Sequence, residues 1–86
     1  MNDIQNTLIE RGNRYGDFET HAAISQELKD VCCKYEKGNL TASHREALSM
    51  IMHKVGRIIN GDPNYDDSWR DIAGYATLIV NQLNND

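Results

Sequence analysis

The chain has 86 residues and a mass of 9.8 kDa, enough for one hydrophobic core and too little for several domains, so residues 1–86 are expected to form a single domain. A composition of 40% hydrophobic and 26% charged residues, with one proline, excludes a disordered chain. Nine Lys and Arg against 13 Asp and Glu give a net charge of -4 and a pI near 5.2, which excludes a duplex nucleic-acid binder relying on many phosphate contacts.

Hydrophobic periodicity predicts helices nearly throughout. Ile4 and Leu8, four residues apart, mark a short first helix over about 2–10, which Gly12 and Gly16 interrupt, leaving 11–18 as a loop. Ile24, Leu28, Val31 and Tyr35 recur at spacings of four, three and four and predict an amphipathic second helix over 19–36, stopped by Gly38. A third helix starts at 41–43, where Ser43 with Glu46 three residues on reads as a capping box and Leu40 as its staple. Its stripe is Leu48, Ile51, Met52, Val55, Ile58 and Ile59, and Asn60, Gly61, Asp62 and Pro63 end it. The fourth helix opens on Asp66, Asp67 and Ser68, turns Trp69, Ile72, Ala73, Ala76, Ile79 and Leu83 inward, and frays over 84–86. A connection this short makes the third and fourth helices antiparallel neighbours, with Asp67 and Asp71 near Lys54 and Arg57. The fold expected is all-α: a four-helix domain with two long antiparallel helices. A core of this size buries only about 60% of the unfolded surface, so self-association into a dimer or higher oligomer is expected.

No apolar run reaches the roughly 18 residues that span a bilayer, and the opening residues, MNDIQNTLIERG, lack a signal-peptide pattern; a cytoplasmic protein without a membrane partner is expected. Cys32 and Cys33 are adjacent, and helical neighbours diverge by about 100°, so they are read as half-buried helix residues and not a disulfide. His21, His44 and His53 add no metal-binding spacing to them.

Glu46, Met50, His53 and Arg57 follow steps of four, three and four on the third helix with Lys54 beside them, so ionisable groups crowd next to its apolar stripe. The same pattern fits a solvated face, or a salt-bridge lattice of Lys54 and Arg57 with Asp67 and Asp71. Gly56 and Gly74 leave gaps in facing helices, which suit either close helix crossing or a ligand beside Tyr75. The stretch RGNRYGDF, residues 11–18, holds two arginines, Tyr15 and Asp17 around a glycine, with His21 following; that is phosphate-binding, base-stacking and ribose- or metal-binding chemistry in a few residues. It fits equally a turn with Asp17 capping the second helix. The chain has no P-loop, no Gly-x-Ser-x-Gly, no HExxH and no dinucleotide fingerprint, and what these absences leave is a helical pocket for a small anionic ligand.

Tyr15-Gly16-Asp17, the following His21, Lys54-x-x-Arg57 and the run from Asp67 to Ala76, DSWRDIAGYA, resemble a family of small phage and prophage proteins across most of the chain. Those proteins are distantly similar to the all-α nucleotide pyrophosphatases of the MazG and dUTPase-like group and to phage domains associated with nucleotide modification. In the pyrophosphatase pattern, Glu-x-x-Glu on one helix and Glu-x-x-Asp on the next hold magnesium on a triphosphate, because hard Mg²⁺ takes oxygen ligands and bridges phosphate oxygens. Asp67 and Asp71 match the second half loosely, at a spacing of four. Glu46 is followed three residues on by Ser49, and His53, Lys54 and Arg57 occupy the rest of the face; Glu27 and Asp30 have the spacing but lie on the second helix. Cations in place of carboxylates would grip a phosphate directly, which favours binding over hydrolysis.

The function expected is therefore recognition, and by resemblance to phage proteins sequestration in counter-defence, of a nucleotide or nucleotide-derived signal, without a required cofactor. Arg14, Lys54 and Arg57 would meet phosphate; Tyr15, Trp69 or Tyr75 would stack on a base; Asp17, Asp67 or Asp71 would read ribose or amino groups, with His21 and His53 beside them. One alternative is a Mg²⁺-dependent nucleoside triphosphate pyrophosphohydrolase with Glu46, Asp67 and Asp71 as its catalytic carboxylates. The other is an interaction module whose apolar faces inhibit a host protein.

Overall fold

A computed structural model describes residues 3–85, which form four helices and no strand: α1 (Asp3–Tyr15), α2 (Phe18–Tyr35), α3 (Ala42–Asn60) and α4 (Asp66–Leu83). Among these residues α3 touches every other helix, whereas α4 touches neither α1 nor α2. The elements thus lie around α3 as an open array, 50 × 28 × 23 Å. The radius of gyration is 15.0 Å, against about 12 Å for a compact domain of this length.

The first helix is longer than periodicity implies. It runs through Gly12 to Tyr15, and the predicted loop shrinks to the two residues Gly16 and Asp17. Glycine costs a helix about 1 kcal/mol, but contacts beyond it offset that cost. Arg14 pairs with Glu10 one turn back at 2.5 Å, and the Gly16 N–H closes the last turn on the Gly12 carbonyl at 2.9 Å. Gly16 then breaks the helix with φ +76°, the left-handed conformation glycine adopts most easily. Asp17 caps α2, its carboxylate accepting the Thr20 N–H at 2.9 Å.

The capping box of α3 lies two residues before its expected place. Thr41 has the extended backbone an N-cap requires and accepts the His44 N–H at 3.2 Å, while His44 Nδ1 accepts the Thr41 N–H at 3.1 Å. Ser43 is already helical and cannot serve as the cap. The α4 N-cap is Tyr65, without a side-chain cap bond, and Asp66 instead pairs with Arg70 at 2.7 Å. Opposite ends of the two long helices meet: Gln82 donates to Ser43 at 3.2 Å, and Lys54 lies 2.9 Å from Asp71.

The core is thin. Ala47 is the one buried hydrophobic residue among those described, and the other buried side chains are polar: His21, Ser25, Lys54 and Ser68. Several residues expected to point inward are exposed instead, among them Val31, Tyr35, Trp69 and Leu83, because α4 packs on α3 alone and α2 meets only α3 and α1 among the described residues. For the same reason Cys32 and Cys33 are exposed free thiols, not half-buried.

One junction ties α1 to the rest. The Asn60 side-chain amide donates to the Tyr15 and Asp17 carbonyls at 3.0 and 2.9 Å, and the Asp62 N–H donates to the Arg14 carbonyl at 2.7 Å. A methyl group at Gly61 would fall on the Arg14 carbonyl oxygen and the Tyr15 backbone. Gly61→Ala is therefore expected to destabilise the protein by about 1–3 kcal/mol through overpacking, read as a lower urea midpoint. Ala at Gly12, which has open space around it, should leave the midpoint unchanged or raise it.

Candidate functional site

Because α1 ends against the α2 start and the α3 end, the three helices enclose a pocket of about 440 Å³. From α1 it receives Leu8, Arg11, Gly12 and Tyr15; from the corner and α2, Gly16, Asp17, Phe18 and His21; and from α3, His53 and Arg57. Leu8, Arg11 and Tyr15 share one face of α1 at helical spacing. Phe18, 80% exposed at the first position of α2, holds its ring 6.4 Å from that of His21.

Two ring–cation pairs run from the pocket's Tyr15 and Arg57 toward the α3–α4 turn. The Arg57 guanidinium lies 4.2 Å over the Tyr15 ring, Tyr15 meets Tyr65 edge-on at 6.1 Å, and Arg14 lies 4.7 Å over Tyr65. Arg14 also donates to the Tyr65 hydroxyl at 2.9 Å, and that hydroxyl donates to Asp67 at 2.7 Å. The bond to Asp67 holds the Tyr65 proton above the ordinary phenol value.

His21 and His53 form the floor. Their rings meet edge-on at 4.5 Å between centroids, with Nε2 of His21 3.3 Å from Nδ1 of His53, so one ring donates and the other accepts. A side chain at Gly56 would come within 3.0 Å of the His21 ring, so this glycine serves the close crossing of α2 and α3. Burial, followed by the Arg57 charge, lowers both histidines, and His53 falls to about 4. Both are therefore neutral at pH 7 and leave the positive charge of the pocket to arginine. The Thr20 N–H, through its bond to the carboxylate, lowers Asp17 below its usual value, so it is ionised there.

The arginines divide in two. Arg14, Arg45 and Arg70 have carboxylate partners in Glu10, Glu36 and Asp66. Arg11 and Arg57 have none within ion-pair distance among the described residues, and both line this pocket.

Of the residues the sequence singles out, Tyr15, Asp17, His21, His53 and Arg57 come together here. Arg14 faces Tyr65 and the α3–α4 turn instead. Lys54, only 9% exposed, is held by Asp71 on the α4 side of α3, the salt-bridge alternative for that pair. Asp71 and Tyr75 border a shallow recess with Arg70, Gly74 and Leu78. Trp69 donates its indole N–H to the Pro63 carbonyl at 2.8 Å. Glu46 is exposed on α3, and no group of three or more His, Cys, Asp or Glu among the described residues could hold a metal ion. Gly74 has open space around it and serves no helix crossing. Arg11 and Phe18 are the additions: a helix continued through Gly12 would have placed Arg11 one turn before Tyr15.

Residues 2–83 match the family described as domain of unknown function (DUF6378), and the chain belongs to that family. No curated protein and no solved structure matches it.

The histidine pair makes stability depend on pH. The folded pKa of His53, about 4, lies below the ordinary value of 6.5, so the unfolded chain binds more protons between the two values. Its stabilising effect is complete above pH 6.5 and is lost as pH falls toward about 4. Urea midpoints measured across that range should drop on acidification, and His53→Gln should flatten the His-dependent part of the slope.

Proposed function

We propose that this DUF6378 protein binds a nucleotide or nucleotide-derived anion in the pocket between α1, α2 and α3, and holds it without chemical change. The observation that carries the reading is the pair Arg11 and Arg57: two guanidiniums without carboxylate partners among the described residues, in a chain of net charge -4, lining one pocket beside the half-buried Tyr15 ring and the exposed Phe18. A guanidinium binds phosphate oxygens through two parallel N–H bonds, and stacking on Tyr15 orients the Arg57 plane for that contact. Phe18 offers a face to a base, and Asp17 accepts hydrogen bonds from sugar or amino groups. A volume near 440 Å³ falls in the range of small-ligand sites.

Recognition here needs no metal bridge, which favours binding over the Mg²⁺-dependent pyrophosphohydrolase. The enzyme would require Glu46, Asp67 and Asp71, and two of these already answer to Tyr65 and Lys54. The resemblance to phage and prophage proteins and to MazG-type domains supports sequestration in the host cytoplasm as the purpose. The proposal includes a homo-oligomer whose long helices α3 and α4 run antiparallel, supported by the Ser43–Gln82 and Lys54–Asp71 contacts and the thin core.

Purified protein incubated with nucleoside triphosphates and cyclic di- and oligonucleotides, with Mg²⁺ and with EDTA, separates these readings. Release of intact nucleotide from the bound fraction in both conditions is expected, and Arg57→Ala should weaken binding about 10-fold or more, the loss of one charge-assisted contact. Monophosphate and pyrophosphate formed only with Mg²⁺, and lost in Glu46→Gln, would overturn binding in favour of the enzyme. An empty panel would favour the protein-inhibiting module.

A further inference from the structure

We infer that the bare face formed by α2, α3 and α4 is covered by the same face of a second copy of this chain, with Leu48 at its centre. The inference rests on the oligomeric part of the proposed reading and is independent of the ligand.

One chain leaves too much apolar surface bare. It exposes 6363 Å², whereas a compact folded monomer of this mass exposes about 5,200 Å². Among the described residues no side chain is less than 2% exposed, and twelve large hydrophobic residues stand in solvent. The surplus, about 1,200 Å² per chain, exceeds the roughly 800 Å² each partner contributes to a stable interface. A second copy therefore accounts for it without a further protein.

The surface is also built to meet itself. On the α4 side, Ala47, Leu48, Ile51, Ala76 and Ile79 line an apolar groove of about 330 Å³. On the α2 side lies a second groove beside Cys32 and Met52, whose charged residues are Lys29 and the ion pair of Glu36 with Arg45. Leu40 and Leu48 line both, so Leu48, 41% exposed, forms a ridge between two furrows. Two such faces related by a two-fold axis place each ridge in the other's furrow, a self-complementary contact. Charge points to this face over the nucleotide pocket as the dimer surface. The α4-side groove holds no Asp, Glu, Lys or Arg, and its His44 accepts the Thr41 N–H. Copies of an acidic chain can approach there without juxtaposing like charges, whereas apposed pockets would set arginine against arginine. The resulting layer of helices supplies the second half of a core that α3 alone cannot bury.

Sedimentation equilibrium of the full chain across the micromolar range tests the inference. Wild type should sediment at twice 9.8 kDa. Leu48→Asp should halve that mass while keeping the helical circular dichroism, because the side chain is already half exposed in one chain. Ile4→Asp, on the equally bare α1, should remain dimeric. A monomeric wild type would overturn both this inference and the oligomeric reading. A dimer that survives Leu48→Asp, or dissociates with Ile4→Asp, would overturn the face while leaving the oligomer standing. Should Leu48→Asp unfold, Leu48→Cys in a Cys32→Ser, Cys33→Ser background decides: a covalent dimer formed with a short bis-maleimide supports the face, and its absence overturns it.

Discussion

The pocket depends on one amide. Asn60, the last residue of α3, spends both protons of its side chain on the carbonyls of Tyr15 and Asp17, which flank the left-handed Gly16. These bonds fix where α1 stops and α2 starts, and so decide that Arg11 and Tyr15 from one helix face His21 from the next. The approach is so close that neither Gly16 nor Gly61 has room for a methyl group. Each of these bonds contributes about 0.5–1.5 kcal/mol, and together they favour this geometry at the corner.

From that corner follows the electrostatic division of the molecule. The chain is acidic overall, and four of its carboxylates hold cations: Glu10 and Glu36 pair with arginines, Asp66 with Arg70, Asp71 with Lys54. These pairs engage three of the five arginines and leave two guanidiniums lining one concavity. The neutral histidines beneath them contribute polarity without charge, because burial opposes protonation where Arg57 already stands. An acidic protein can thus present a locally cationic pocket.

Helices α2, α3 and α4 were legible because each carries long apolar periodicity bounded by breakers, Gly38 and the Asn60–Pro63 run. The first helix was misread beyond residue 10, since propensity at Gly12 says nothing of Arg14 and Tyr15 docking on the α3–α4 turn. Five site residues were legible for a similar reason in reverse: Tyr15, Asp17, His21, His53 and Arg57 lie near helix ends that a four-helix arrangement brings together. Lys54 and Asp71 form one pair of the salt-bridge lattice that the helix hairpin already offered as an alternative, whereas the bonds of Arg14 and Asp67 to Tyr65 join residues whose proximity periodicity does not reveal. Burial was the least legible property, because an amphipathic stripe records that a face is to be covered, not that the same chain covers it.

Helix α1 has no buried residue, and its C-terminal end is bonded to the rest of the fold through the Arg14 and Tyr15 carbonyls. Opening of this helix is expected to cost less free energy than global unfolding, and its amides to exchange with solvent sooner than those of α3. Such an opening removes Leu8 and Arg11 from the pocket wall while the packing of α2, α3 and α4 persists. Under the proposed binding, the residence time of an occupant would be coupled to how often this one helix detaches.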